Sequence, residues 1–273
     1  MHDGVARLLA EAGIRIGASA RGYRPSVSLP DVETKILKPQ NIIEMLDSGT
    51  RDVGFAGADW AAELDASIVE VLDTGLDAVR LVAAAPPEIL VNGRLPERSL
   101  VVAGEYERLG RRWIAARGRG DRFVRSYGAT EVFPPEDADC ILDITASGAT
   151  LEANRLIICD ELLTSSTRLY ASRAAMDLPA KRARIADLAM LLRGVLEARA
   201  RVMLELNAPK DRLDAIIEIL PCMRQPTLSQ LAGDAGFAVK AAVPRDKLHR
   251  LIPLLKARGG ADIVISPIAQ VIP

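Results

Sequence analysis

The stretch Cys140-Ile141-Leu142-Asp143-Ile144 is apolar except for one carboxylate, and it runs without a break into Thr145-Ala146-Ser147-Gly148-Ala149-Thr150-Leu151. A short apolar run of this kind reads as a strand buried on both faces. The small, hydroxyl-bearing turn after it opens a helix at Leu151. A buried strand feeding directly into a helix is the unit of a mostly parallel α/β sheet. The turn also carries chemistry. Gly148 lets the backbone approach a ligand closely, and successive amides and two hydroxyls near a helix start suit a phosphate. Asp143, at the top of the strand, is placed to accept hydrogen bonds from ribose hydroxyls. On local grounds alone an ordinary helix cap explains the same residues equally well.

The alternation extends along the chain. Residues 3–12 read as a helix with Val5, Leu8, Leu9 and Ala12 on one face, ended by Gly13. Residues 31–37 alternate (Val32, Thr34, Ile36) and read as a strand, followed by a helix over 40–48. Residues 52–57 form a short strand running into a glycine turn. Asp59 is positioned to cap the helix over 60–63. Small residues in that turn leave room for a ligand at the strand's carboxyl end, although a plain βα turn fits too. Residues 68–72 and 79–85 are two more strands. After Pro86-Pro87 the pattern restarts: strand 99–103, helix 106–117, strand 122–126, a short helix from 128 to 132, strand 139–144 and a returning strand 168–172. Two α/β lobes with a cleft between them follow from this order. A long helix begins at Pro179 and runs to about residue 199, with Ile185, Leu188, Leu192 and Val195 spaced by three or four. The tail then reads strand 202–206, helix 210–220, strands 227–231 and 237–243, helix 245–258 and strand 262–266. That β-α-β-β-α-β order predicts a separate ferredoxin-like (ACT-like) domain.

Composition narrows the chemistry. The 35 basic and 36 acidic residues nearly cancel, which argues against nucleic acid or a polybasic membrane surface as partner. Basic runs such as 108–119 read as solvated helix faces. The three cysteines (Cys140, Cys159, Cys222) are scattered and do not form a disulfide framework. With only His2 and His249, no Cys/His cluster has metal-ligand spacing, and no histidine-based nucleophile is evident. Neither a signal peptide nor a membrane-spanning run is present, so a cytoplasmic location is expected.

Taken in order, several segments resemble the ATP phosphoribosyltransferase family, long form with a C-terminal regulatory domain. Asp52-Val53-Gly54-Phe55-Ala56-Gly57-Ala58-Asp59 resembles its D-x-G-I-x-G-x-D segment, and Leu37-Lys38-Pro39-Gln40-Asn41-Ile42 its L-R-x-x-D-I segment. Gly128-Ala129-Thr130-Glu131 followed by the 138–144 strand resembles G-A-x-E…A-D-x-I-x-D-x. Ser147-Gly148-Ala149-Thr150-Leu151 resembles the T-G-T-T-L phosphoribosyl loop. Gln225-Pro226-Thr227-Leu228-Ser229-Gln230-Leu231, Val243-Pro244 and Pro267-Ile268 resemble segments of the regulatory domain.

The resemblance implies a periplasmic-binding-protein-like two-lobed catalytic core. Lobe I would comprise 1–85 plus 168–198, lobe II 86–167, and the regulatory domain 199–273. It implies transfer of phosphoribosyl from phosphoribosyl pyrophosphate to N1 of the ATP adenine, with Mg²⁺ carried on the substrate phosphates and no protein-only metal cage. Asp143 and Lys38 would act in catalysis. Thr145, Ala146, Ser147, Gly148, Ala149 and Thr150 would grip the 5-phosphate, with Gly57 and Asp59 on the facing lobe. Histidine would be the feedback inhibitor, at Asn207, Thr227 and the backbone near Ile263, in a homo-oligomer (dimer or hexamer). The family pattern has a further strand and a Pro-Lys-Gly-Arg segment, placed ahead of residue 1. Lys38 stands where the family has arginine, a point charge in place of a bidentate fork. Ala146, Ala149 and Glu152 replace acidic, hydroxyl and basic residues of relatives. A catalytically silent cytosolic ligand-binding relative of the same fold is the competing reading.

Overall fold

The computed structural model describes residues 1–17 and 22–272. The chain divides into two compact units, one of Met1–Ala6 with Gly17–Ala189, the other of Arg7–Ile16 with Met190–Pro273.

The first unit is organised by two long antiparallel strands. In chain order its elements are α1 (His2–Glu11, which continues into the second unit), α2 (Pro39–Asp47), β1 (Val53–Gly57), α3 (Ala58–Leu64), β2 (Ile68–Ala85), β3 (Val101–Gly104), α4 (Glu107–Arg117), β4 (Arg122–Arg125), β5 (Cys140–Thr145), α5 (Ala149–Ala153), β6 (Ile157–Ser172), α6 (Arg173–Asp177) and the start of α7 (Pro179–Arg199). The strands form one six-stranded sheet in the order β1-β6-β2-β5-β3-β4. β2 and β6 pair along their whole lengths, from Ile68↔Ser172 to Ala85↔Ile157. At one end β1 flanks β6; at the other β5, β3 and β4 extend from β2. The result is two half-sheets hinged on the β2–β6 pair.

Successive residues of a strand point to opposite faces, so a strand covered on both sides must be apolar throughout. The core shows this. Leu81, Ala83 and Ala85 of β2, with Val102, Cys140 and Leu142, pack on one face against Ile43, Leu46, Trp60 and Tyr106. Val82, Ala84, Ala103 and Ile141 pack on the other, where Leu151 and Leu156 anchor the α5 region.

Three strand predictions change. Residues 68–72 and 79–85 are one strand, and β6 begins at Ile157, eleven residues before the predicted 168. The polar stretches Asp73–Asp77 and Thr164–Thr167 broke the apolar pattern, yet pairing carries through them by register shifts, helped by positive φ at Gly75 and Asp77. Residues 31–37 form no strand. The alternation there lacks a ladder partner, and the Ile36 amide donates to the Tyr23 carbonyl instead.

In the second unit β7 (Arg201–Ala208), α8 (Leu213–Ile217), β8 (Thr227–Gln230), β9 (Phe237–Pro244), α9 (Leu248–Ala257) and β10 (Ala261–Pro267) follow the predicted β-α-β-β-α-β order. Their antiparallel sheet runs β10-β7-β9-β8. Val202, Leu204 and Leu206 alternate inward onto Ile216, Leu251 and Leu255. Met203, Glu205 and Asn207 take the other face, as strict alternation requires. The predicted helix 210–220 is shorter: a 3-10 turn precedes α8, which ends at Ile217.

Gly104, in β3, has no room for a side chain. An added Cβ would lie 2.8 Å from the Leu142 carbonyl oxygen, a backbone atom that cannot swing aside. Gly104→Ala is expected to lower stability by about 1–3 kcal/mol, read as a reduced urea midpoint, because the β3–β5 ladder must part. An unchanged midpoint would show the ladder to be looser than described.

Candidate active site

The carboxyl ends of β1 and β5 meet the same stretch of the hinge. Gly57 pairs with Thr167, while Thr145 pairs with Arg80, itself opposite Thr164. The two turns predicted to carry chemistry therefore approach the cleft floor from its two sides. Polar groups knit that floor. Ser166 donates to Asp73 at 2.6 Å, Thr167 to Asp77 at 2.9 Å and Thr74 to the Thr167 carbonyl at 2.5 Å. Burial alone would raise the Asp73 pKa, but the Ser166 and Gly75 hydrogen bonds and the Arg168 charge outweigh it and hold it below the ordinary value.

On one side lies the 145–150 loop. Thr145 is buried, Gly148 takes a left-handed φ of 86°, and Ala146, Ser147, Ala149 and Thr150 are exposed. The Gly148 amide donates to the Thr145 hydroxyl at 2.9 Å, and the Ala149 amide to the Ser147 hydroxyl at 3.3 Å. The loop thus satisfies two of its own amides before any ligand arrives, and the helix it opens is only one turn long. Asp143 precedes it. Burial, then the nearby charges of Glu131 and Glu105, push the Asp143 pKa up to about 6, although the Ile144 amide donates to its carboxyl. Glu105 follows β3 and Glu131 lies in a 3-10 turn, so carboxylates gather at the carboxyl ends of this half-sheet.

The facing turn differs from its prediction. Asp59 does not cap α3, whose N-cap is Gly57. It is 4 % exposed, and both its oxygens are taken. Ser165 Oγ donates to one at 2.5 Å and Tyr106 Oη to the other at 2.6 Å. The space left by small residues is also filled, because a Cβ on Gly57 would fall 2.1 Å from Asp59 Oδ1. Gly57 makes room for Asp59, and both look inward. Lys38 is exposed at the start of α2 and has no ion-pair partner among the described residues. Sequence reading missed Tyr106, Ser165 and Glu63. Their signal is faint: a tyrosine at a helix start, one serine in a polar run, and a glutamate four residues after Asp59.

A cavity of about 660 Å³ lies beside α2, α3 and α4, lined by Gln40, Trp60, Glu63, Arg108, Arg112 and Arg125 among others. None of the predicted substrate residues lines it, so its size alone does not make it the reaction site. Burial pushes the Cys140 thiol up to about 12 and Cys159 up to about 11, so neither supplies a thiolate near neutral pH. Among the described residues no group of three or more His, Cys, Asp or Glu is arranged to hold a metal ion, and no helix is long and apolar enough to cross a membrane.

In the second unit Asn207 Nδ2 donates to Asp262 at 2.8 Å, across the β7–β10 pair where β10 bulges. Ile263 packs on the core beside them. Thr227, on β8, is separated from Asn207 by the intervening β9. Asn207 and Ile263 are thus neighbours, and Thr227 is not brought to them within the unit.

Asp143 yields a pH test. Folded, it keeps its proton to about pH 6; unfolded, it releases it near 3.8. The folded chain therefore binds the extra proton in between and loses stability as pH rises through that window. In Asp143→Asn this loss is absent, so the variant's urea midpoint should gain on that of the parent between about pH 4 and about pH 7. A difference independent of pH would contradict the burial of Asp143.

The ATP phosphoribosyltransferase family model matches residues 38–194, and the HisG C-terminal domain model matches residues 198–270. An ATP phosphoribosyltransferase of Pelotomaculum thermopropionicum is 36 % identical over 278 residues, spanning 100 % of this chain and 96 % of that protein. One of Pelodictyon phaeoclathratiforme is 36 % identical, spanning 96 % and 91 %. The solved ATP phosphoribosyl transferase (HisG:HisZ) complex from Thermotoga maritima contains a chain of the same fold, with a TM-score of 0.63 over 71 % of this chain and 93 % of that one, at 23 % identity. These matches, laid over a hinged α/β core and a βαββαβ tail, establish that the chain belongs to the ATP phosphoribosyltransferase family.

Proposed function

We propose that this chain transfers the phosphoribosyl group of phosphoribosyl pyrophosphate to N1 of the ATP adenine, the first step of histidine biosynthesis. The observation that carries the reading is the 145–150 loop at the cleft, largely exposed beyond buried Thr145 and preceded by Asp143, within a chain of this family. The loop grips the 5-phosphate through backbone amides and the Ser147 and Thr150 hydroxyls. Amides now turned on Thr145 and Ser147 exchange those partners for phosphate oxygens. In the reaction the bond from ribose C1 to the pyrophosphate oxygen breaks, and its electron pair leaves with pyrophosphate. The N1 lone pair forms the new bond to C1, which carries cationic character between the two events. Asp143, with Glu105 and Glu131 behind it, provides negative charge near that ribose and orients its hydroxyls. Lys38, at the start of α2 on the facing half, supplies a free cation for the ATP phosphates. No covalent nucleophile is required, which agrees with the high thiol pKa values.

Asp143, with Glu105 and Glu131 as nearby negative charges, would stand beside a Mg²⁺ ion held chiefly by the substrate phosphates, which would supply charge neutralisation at the leaving pyrophosphate. In this reading lobe I is 1–85 with 168–198, lobe II is 86–167, and 199–273 is a regulatory domain that takes histidine near Asn207 and Ile263. Asp262, hydrogen-bonded to Asn207, supplies the anion for the histidine ammonium that Asn207 lacks. Thr227 would join from another copy in a homo-oligomer. A cytoplasmic location completes the reading.

Chromatographic detection of phosphoribosyl-ATP from ATP, phosphoribosyl pyrophosphate and Mg²⁺ tests the reaction. The wild-type chain should form it, and Asp143→Asn should lower kcat by about 10²-fold. A folded wild-type chain that forms none contradicts the reading. Asp262→Asn should leave uninhibited turnover intact and raise the histidine concentration needed for inhibition by about tenfold; an unchanged requirement removes Asp262 from the inhibitor site.

A further inference from the structure

Asp59, Glu63 and Tyr106 lie outside the chemistry above, yet they join the two half-sheets through carboxylates whose oxygens all accept hydrogen bonds. α3 follows β1 in one half, and α4 follows β3 in the other. Asp59 and Glu63 stand one turn apart on α3, so both side chains leave the same face. Asp59 reaches the hinge and the opposite half together: Ser165 of β6 donates to one oxygen and Tyr106, at the N-cap of α4, to the other. The Asp59 amide also donates to Ser165 Oγ at 3.0 Å. α4 has no capping side chain of its own. Glu63 serves instead, accepting the Arg108 amide at 2.8 Å and the Leu109 amide at 3.0 Å, two donors that would otherwise be unsatisfied at the positive end of the helix dipole. The Trp60 and Tyr106 rings close the gap, with centroids 4.8 Å apart.

We propose that Asp59, Glu63 and Tyr106 form a positioning clamp that fixes the angle between the half-sheet carrying Lys38 and Gly57 and the half-sheet carrying the 145–150 loop, so that adenine N1 meets ribose C1 in line. This rests on the reaction proposed above. None of the three has an oxygen left for substrate: Asp59 and Tyr106 are buried, the Asp59 oxygens being taken by Ser165 and Tyr106, and Glu63 is spent on α4. They act through the hinge. The β2–β6 pair at Asp73–Val79 and Thr164–Thr167 is bulged and polar, with register shifts on both sides of Leu76. A clamp anchored on Ser165 stiffens that segment. Because the phosphate loop lies wholly on one half, holding phosphoribosyl pyrophosphate does not require the clamp, whereas bringing a second substrate to it does.

The test uses the full chain and the variants Asp59→Asn, Tyr106→Phe, Glu63→Gln and Asp59→Asn/Tyr106→Phe, each first shown to be folded by its thermal midpoint. Hydrogen exchange should quicken at least about tenfold in peptides spanning 73–79 and 164–167 and stay unchanged in peptides spanning 201–208. Phosphoribosyl pyrophosphate affinity, measured by calorimetry with Mg²⁺, should stay within about twofold, while kcat falls at least about tenfold. The double variant should lose no more than the worse single one, since the two residues act as a unit. Exchange unchanged at the hinge overturns the clamp. So does an affinity that falls in step with kcat, which would make Asp59 a ligand contact. If the wild-type chain proves inactive, the reaction reading fails, and hydrogen exchange alone still decides for or against the clamp.

Discussion

A carboxylate taken out of water must have its oxygens answered by donors, or it destabilises the fold that buries it. Asp59 meets that demand with two hydroxyls drawn from different parts of the first unit, Ser165 on the hinge strand and Tyr106 at the start of α4. The demand constrains much else. Gly57 must lack a side chain so that the carboxylate fits. Trp60 must lie on Tyr106, and Glu63, one turn on, is delivered to the bare N-terminus of α4. One buried charge thereby fixes how a helix from one half-sheet sits against a helix from the other.

The cleft follows from that arrangement. β1 and β5 end near the same stretch of β6, and the β3–α4 junction held by Tyr106 presents Glu105 toward Asp143. Asp143 is consequently a carboxyl in crowded, negative, half-buried surroundings, with a pKa pushed up to about 6. Surroundings of this kind favour an incoming cation or a cationic ribose centre. The 145–150 loop beside it is small, exposed and turned on itself, ready to exchange internal hydrogen bonds for phosphate. The reaction asks for little beyond alignment and electrostatics, and the buried thiols of Cys140 and Cys159 fit a site without a covalent nucleophile.

The sequence was most readable where periodicity and burial agree. β5, β3, β7 and β9 were legible because alternating or continuous apolar residues mark one or two covered faces. It misled where pairing, not side-chain pattern, defines a strand. The polar residues of Asp73–Asp77 and Thr164–Thr167 hydrogen-bond one another and Asp59, so β2 looked like two strands and most of β6 was invisible. The reverse error came at 31–37, where a good alternating pattern has no ladder to join. At the site, the loop and Asp143 could be seen as local motifs. The partnership of Asp59 with Tyr106 and Ser165 could not, because those contacts join residues 47 and 106 positions apart. A small turn was visible, but what filled it was not.

A crystal structure of this chain with phosphoribosyl pyrophosphate and Mg²⁺ bears most directly on the central claim, that the hinged cleft is a phosphoribosyl site. The 5-phosphate should lie on the amides of the 145–150 loop and the ribose hydroxyls on Asp143, with Asp59 still bonded to Ser165 and Tyr106. A diphosphate or 5-phosphate lodged instead among Arg108, Arg112 and Arg125 in the cavity beside α4, with the loop untouched, would contradict it.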